Sequence, residues 1–382
     1  MPLDEGMILV QVQVGVPFNK YESMLKIFCN IERSHDWSPM WFDLNDDDYE
    51  IVNSNSPNMP DWVDIEVRSP TPNPCLRVQS RQKLDLCVWD NYENQMWSLL
   101  NEKPQDGVII TNIQDPTMHS DRIVFNDFLF NRTKAYYEHR HFPSGRRWYW
   151  VDQRAYELPE IGDAQDKTHV YVAPNKSYVT SDWRQIKYRP RLVDHLDDGY
   201  RDLGYIGDYH RRPELVLYPH YLAPDCASLA DLTSGAVIKQ NIRGALRGNL
   251  WGYSPPHNLY YRNTFISIYA ETIEHGTTYA ITEKTFDPMI RGHFVLPFAN
   301  AGFVQFLIQQ GWQLPGFIDY SYDQEASNDR RFQRYINEVD RLCAMSLDEW
   351  RQHWQHNVDI LRYNQQRFFK RPYHQVDLTQ FL

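Results

Sequence analysis

In its second half the chain alternates short, largely apolar runs with stretches of helical spacing. His169-Val-Tyr-Val172, Leu215-Val-Leu-Tyr218, Phe265-Ile-Ser-Ile-Tyr269 and Phe294-Val-Leu-Pro-Phe298 are such runs. They are short and lack a polar face, the pattern of strands covered on both sides. Helical patterns run over Asp182–Leu203, Glu283–Arg291 and Phe303–Gln310, and Gly292 and Gly311 follow the last two where a residue tolerant of positive φ ends a helix. Strands alternating with helices imply a parallel sheet, because a parallel connection must cross over. The fold class is α/β.

The first half is less regular. Ile8–Val14 reads ILVQVQV, an alternating strand, and Lys20–Glu32 has a helical pattern that would complete a first βα unit. Between residues 40 and 80, clusters of Asn, Pro, Ser and Asp punctuate short strands such as Val63–Val67, which predicts long loops or an elaborated sheet. Val108–Asn112 and Ile123–Phe125 read as buried strands whose carboxyl ends face a cleft. At 382 residues the chain exceeds what one core usually supports, so two domains sharing a cleft are expected. The polar stretch 155–168 serves as linker. The divisions are 1–160, 165–345 and 346–382, the last opening with a helix from Ser346 to Phe369 whose Trp350, Trp354 and Leu361 form one apolar stripe.

Composition excludes some classes. A net charge of −11 opposes broad attraction to nucleic acid or anionic membrane. The basic, aromatic stretches His139–Arg147 and Arg367–Arg371 are local exceptions, although charge runs are usually solvated faces. Five scattered cysteines without a CxxC pair argue against a disulfide framework or a structural zinc. The acidic start is no signal peptide, and nothing approaches the roughly 18 apolar residues of a membrane helix. A cytoplasmic setting is expected, the host cytoplasm if the gene is viral. There the sequons at Asn131 and Asn175 carry no meaning for glycosylation. Asp46-Asp47-Asp48 contains a D-x-D but sits among turn residues, and Glu138-His-Arg-His141 suits a surface or core role better than a metal. No metal ligand set and no cofactor are assigned.

Chemistry concentrates between Tyr261 and Phe298: strand, loop, helix start, strand. Thr282 has the form of an N-cap, which puts Glu283 and Lys284 in the first turn, where backbone N–H groups and the helix dipole attract anions such as a pyrophosphate. Lys284 would add a point charge and Glu283 would accept ribose hydroxyls. On spacing alone, an ordinary capped helix with an acid in its first turn is the simpler account.

The run Tyr279-Ala-Ile-Thr-Glu-Lys284, with its aromatic strand before and Phe294–Phe298 after, resembles the donor-binding motif of the α1,3-fucosyltransferases. It is similar as well to a group of bacterial and viral glycosyltransferase-like proteins. The resemblance implies a GT-B-like fold, two Rossmann-like domains facing a central cleft, with the last helix packing back on the N-terminal domain. It implies a hexosyl- or pentosyltransferase that is metal-independent and inverting, using a GDP- or UDP-sugar as co-substrate and a glycan or other hydroxyl as acceptor. Tyr279, Glu283 and Lys284 match the family residues that contact the nucleotide-sugar, and Thr282 and Glu271 join that donor-binding set. Thr272 replaces the family Asn, and Phe298-Ala-Asn-Ala-Gly302 replaces a short strand end, so sugar and base stay open. An Arg-rich helix start at Tyr188-Arg-Pro-Arg191 matches family arginines facing the diphosphate, which nominates Arg189 and Arg191. Arg243 and Arg247, four apart, would share one helix face toward the cleft. An inverting enzyme needs a base for the acceptor proton, and Asp115 is the first candidate with Asp127 second. Two alternatives stay open: a phage-type transferase acting on a hydroxylated base in DNA, and a non-catalytic carbohydrate-binding or virion-associated protein.

Overall fold

The structure, a computed structural model, describes residues 127–137, 161–175, 187–207, 258–271, 279 and 281–373, together with the backbone of seven strands before residue 126. Those strands are β1 (Leu25–Cys29), β2 (Tyr49–Asn53), β3 (Ile65–Arg68), β4 (Cys75–Ser80), β5 (Asp85–Trp89), β6 (Val108–Thr111) and β7 (Ile123–Phe125). They form one sheet in the order β2-β1-β3-β4-β5-β6-β7. It is mixed: β3-β4-β5 is an antiparallel meander, and the outer pairs are parallel. The turn-rich stretch from 40 to 80 is therefore an elaborated sheet. The helix expected over Lys20–Glu32 is corrected, because its centre is β1. Five residues reading LKIFC fit a strand as well as a helix turn. Pairing with β2 on one edge and β3 on the other decides, and neither partner is local. The expected strands Ile8–Val14 and Leu215–Tyr218 lie outside the described residues.

A second sheet holds β8 (Tyr171–Pro174), β9 (Gly204–Gly207), β10 (Ile266–Ala270) and β11 (Phe294–Phe298). Its order is β11-β10-β8-β9 and every neighbouring pair is parallel. Around it lie helices α1 (Phe128–Tyr137), α2 (Tyr188–Tyr200), α3 (Asn258–Arg262), α4 (Glu283–Ile290), α5 (Phe303–Gln309), α6 (Asn328–Cys343) and α7 (Leu347–Lys370).

Side chains of the central strands alternate between two cores. Ile266, Ile268 and Ala270 of β10, with Phe294, Leu296 and Phe298 of β11, meet Leu192 and Leu196 of α2, Phe332 and Tyr335 of α6, and Trp350 of α7. Tyr269 and Val295 face the other way, against Phe286 of α4, Phe303 and Leu307 of α5 and Phe130 of α1. Burying each such side chain contributes about 1.5–3 kcal/mol, which explains why these strands carry no polar face.

Helix α7 serves both layers. Ser346 and Glu349 form a capping box at its start. Trp350 stacks on Phe265 at 5.6 Å, while Phe368, near the other end, packs on Phe130 and Phe286. The 24 residues, about 36 Å of helix, are long enough to run from one layer to the other. Beyond Lys370, Arg371 pairs with Asp127 at 2.7 Å, and Lys134 of α1 donates to the carbonyls of Phe369 and Arg371. Among the described residues no helix is long and apolar enough to cross a membrane.

Candidate functional site

The chain leaves β8 for β9 on one side and returns to β10 on the other, so β8 and β10 flank the point where the strand order reverses. Open α/β sheets hold ligands outside the carboxyl ends of the strands at that point. Asn175 and Glu271 are the first residues past these two strand ends. The Asn175 side chain bridges them, with Oδ1 accepting from Ala270 N at 3.1 Å. Arg189, in the first turn of α2 and 1% exposed, donates from Nε to Ala270 O at 3.1 Å. Both backbone groups of the last β10 residue are thereby held by side chains.

Helix α4 starts beside them. Thr282 is the N-cap the sequence implies, its Oγ1 accepting from Lys284 N at 3.2 Å. The Glu271 carboxylate, just past β10, reaches this helix start. It accepts from Thr282 Oγ1 at 2.6 Å, Thr285 Oγ1 at 2.7 Å and Thr282 N at 3.4 Å. Tyr269 bonds Thr285 Oγ1 from behind at 2.7 Å. A buried carboxylate at this end is the charge the helix dipole favours, so Glu271 organises the turn from within. Lys284 is 9% exposed with Nζ 3.6 Å from the Glu283 carboxylate, and Glu283 is about one third exposed.

The next strand end repeats the scheme. Arg331 of α6, 1% exposed, donates from Nε to Ala299 O at 3.0 Å just past β11, much as Arg189 does to the last residue of β10. Asp323 takes Gln305 N in the first turn of α5 and accepts Gly302 N on its backbone carbonyl, and burial raises its carboxyl above the ordinary range. Tyr279 lies across this turn: its ring stacks on Phe306 at 4.9 Å and its hydroxyl donates to Ala301 O at 2.9 Å. Gly302 permits that approach. Its φ is +86°, and a Cβ there would lie 2.6 Å from the Tyr279 hydroxyl.

The carboxyl edge therefore gathers Arg189, Glu271, Tyr279, Thr282, Glu283 and Lys284 from the sequence-derived set, and adds Asn175, Asp323 and Arg331. Those three have no signal in spacing, because each becomes part of the edge only through a neighbouring strand. Arg191 is not brought to the strand ends. Two positions on from Arg189, it turns to the other side of α2, into an exposed pair with Asp329 at 3.0 Å and over the Phe332 ring at 4.6 Å. Asp127 is buried in its pair with Arg371. The stretch Arg367–Arg371 is no solvated basic face: Arg367 lies over Trp312, Phe368 is buried and Arg371 is paired. Asp115, Arg243, Arg247, Asp46–Asp48 and Glu138–His141 lie outside the described residues. Among the described residues, no group of His, Cys, Asp and Glu is arranged to hold a metal ion.

At the opposite, amino edge sits a second polar cluster. Lys167 donates to the carbonyls of Tyr261, Arg262 and Thr264 at 3.2, 3.4 and 2.6 Å, and burial lowers it to about 7. His293, just before β11, is fully enclosed: Nε2 lies 2.6 Å from Tyr261 O and Nδ1 lies 3.1 Å from Ser267 Oγ. The first contact requires a donor, so Nε2 carries the hydrogen and Nδ1 accepts from the serine. Burial, reinforced by nearby Lys167, holds this imidazole well below the ordinary histidine value. These groups fasten the strand starts.

The described residues thus define an α/β protein with a parallel sheet and a cluster of polar and charged side chains at its switch point. No protein-family model matches the chain, and no curated protein matches it. Among solved structures, a crystal structure described as an alpha1,3-fucosyltransferase matches with a TM-score of 0.41 and 12% sequence identity, covering 90% of this chain and 82% of that one. So distant a likeness fixes neither activity nor substrate.

Proposed function

We propose that the carboxyl edge of the four-stranded sheet binds the diphosphate of a nucleotide-sugar, and that the chain is a glycosyltransferase of GT-B arrangement passing the sugar to a hydroxyl acceptor. The observation that carries this is the placement of two nearly buried cations, Arg189 and Lys284, beside the switch point. A guanidinium and an ammonium in a site shielded from water favour a diphosphate over a neutral ligand. As the glycosidic bond breaks, negative charge grows on the leaving diphosphate, and cations fixed in advance stabilise that charge more than they stabilise the bound donor. With the Glu271 carboxylate already at the start of α4, the phosphates are met by side chains, and Lys284 is the main contributor. Glu283, on the open side of that turn, takes the ribose hydroxyls. Tyr279 supplies a ring edge beside the sugar or base. The acceptor proton goes to a carboxylate from the first 160 residues, Asp115 ahead of Asp127, because Asp127 is engaged with Arg371. A reaction of this design is inverting and needs no metal.

The test is a thermal-shift screen against UDP-, GDP-, CDP- and dTDP-sugars, followed by assay of nucleoside diphosphate release. A ligand that binds only the folded state raises the melting temperature. If none of these donors or their diphosphates shifts the protein, the reading fails.

A further inference from the structure

Among the described residues, one side-chain donor at the switch point has no acceptor. Asn175 is fully buried, its Oδ1 is committed to Ala270 N, and its Nδ2 finds no hydrogen-bond partner. The amide cannot be turned round, because Nδ2 would then face another N–H donor. The contact that satisfies Oδ1 therefore fixes Nδ2 at the carboxyl edge. The acceptors of the neighbouring strand end are engaged elsewhere, Ala270 O with Arg189 and the Glu271 carboxylate with Thr282 and Thr285. Buried side-chain donors are nearly always bonded, since leaving one unpaired forfeits the water it gave up, so an unpaired donor needs a reason. Bridging two strand ends requires only the carbonyl of this amide; the second half of the group has no structural use.

We infer that Asn175 Nδ2 donates to a phosphoryl oxygen of the ligand at this edge, making Asn175 a binding residue next to Arg189. The inference rests on the edge being a nucleoside diphosphate site. A phosphoryl oxygen is the acceptor class that suits a donor beside a guanidinium, because both groups offer N–H to one anion and the amide adds no charge to repel its neighbour.

Calorimetric titrations of wild type, Asn175→Asp and Asn175→Ala test it, using the nucleoside diphosphate with the largest thermal shift, inorganic pyrophosphate, and the parent nucleoside. Asn175→Asp keeps an oxygen for Ala270 N and replaces the donor with a repelling acceptor. It should weaken nucleoside diphosphate and pyrophosphate about tenfold or more and leave the nucleoside unchanged. Asn175→Ala should weaken the same two ligands less, and it decides the matter if Asn175→Asp does not fold. Folded variants that bind both phosphate ligands with wild-type affinity overturn the inference and leave the site reading intact. Weakening of all three ligands alike also overturns it, since that marks general damage to the edge. A wild-type protein that binds no nucleoside diphosphate sinks the site reading and this inference together.

Discussion

Glu271→Ala should be among the most destabilising single changes at the carboxyl edge. The carboxylate is 1% exposed and accepts two threonine hydroxyls and one backbone N–H at the start of α4. Hydrogen bonds to a charged group contribute about 1.5–3 kcal/mol each, and a partly buried charge at a helix terminus up to about 2 kcal/mol. These overlap, so the sum is less than additive. Alanine also leaves the buried hydroxyls of Thr282 and Thr285 without their acceptor at about 1–3 kcal/mol each, so a total cost of about 2–5 kcal/mol follows. Glu271→Gln keeps the shape and one carbonyl oxygen, and a threonine hydroxyl can rotate to accept from its amide, so its cost should be about 1–2 kcal/mol. Urea unfolding followed by circular dichroism measures both, with thermal melts as a check, where the alanine variant should lose on the order of 10 °C. Equal destabilisation by the two changes would mean that volume, not the carboxylate, holds the turn. An alanine variant that unfolds with the wild type would refute the account of α4 altogether.

Lys284→Ala should reduce nucleoside diphosphate affinity by roughly 10- to 100-fold in calorimetric titration with little change in melting, since a charge-assisted contact of about 1.5–3 kcal/mol is lost. Glu283→Ala should weaken nucleoside diphosphate and nucleotide-sugar to the same extent, as loss of ribose recognition requires; unchanged affinity in both variants removes this part of the site. Asp127→Asn and Arg371→Ala should each lower stability by about 1–3 kcal/mol, because each strands a largely buried partner. Arg371→Ala should spare sugar transfer, and a loss of about 100-fold or more in Asp127→Asn alone would make Asp127 the base in place of Asp115. His293 is held well below the ordinary value of 6.5, so in that range the unfolded chain binds a proton the folded one refuses. Its contribution is intact above about pH 6.5 and declines below it at up to about 1.4 kcal/mol per pH unit. Subtracting the stability profile of His293→Gln from that of wild type between pH 5 and 8 should expose this slope, and a flat difference would mean the imidazole is not buried neutral.

The local grammar of the second half was readable in the amino-acid order. Phe294–Phe298 is a strand over the residues expected, Thr282 caps α4, Gly292 has a φ of +68° behind it, and Ser346 opens α7. Each rests on neighbours within about one helical turn, which a chain carries in its sequence. A parallel sheet was also implied, because alternating buried strands and helices leave few other arrangements. Helix α6 carries its own local pattern, with apolar residues at 332, 335, 336 and 339 on one face.

What only the tertiary structure decided is how strand ends and helix starts meet. Strand order is a matter of long-range pairing, so the switch point between β8 and β10 has no local signature, and neither has β1, whose apolar run suits a helix until two strands flank it. The same holds for the site. Glu271 and Thr282 stand eleven positions apart and Arg189 and Ala270 eighty-one, yet each pair is in hydrogen-bond contact because parallel strands deliver their carboxyl ends to one edge. Sequence therefore identified the groups with charge to offer. Packing determined which of them the protein uses on itself, as with Glu271 and Arg189, and left the amide of Asn175 bonded on one side only.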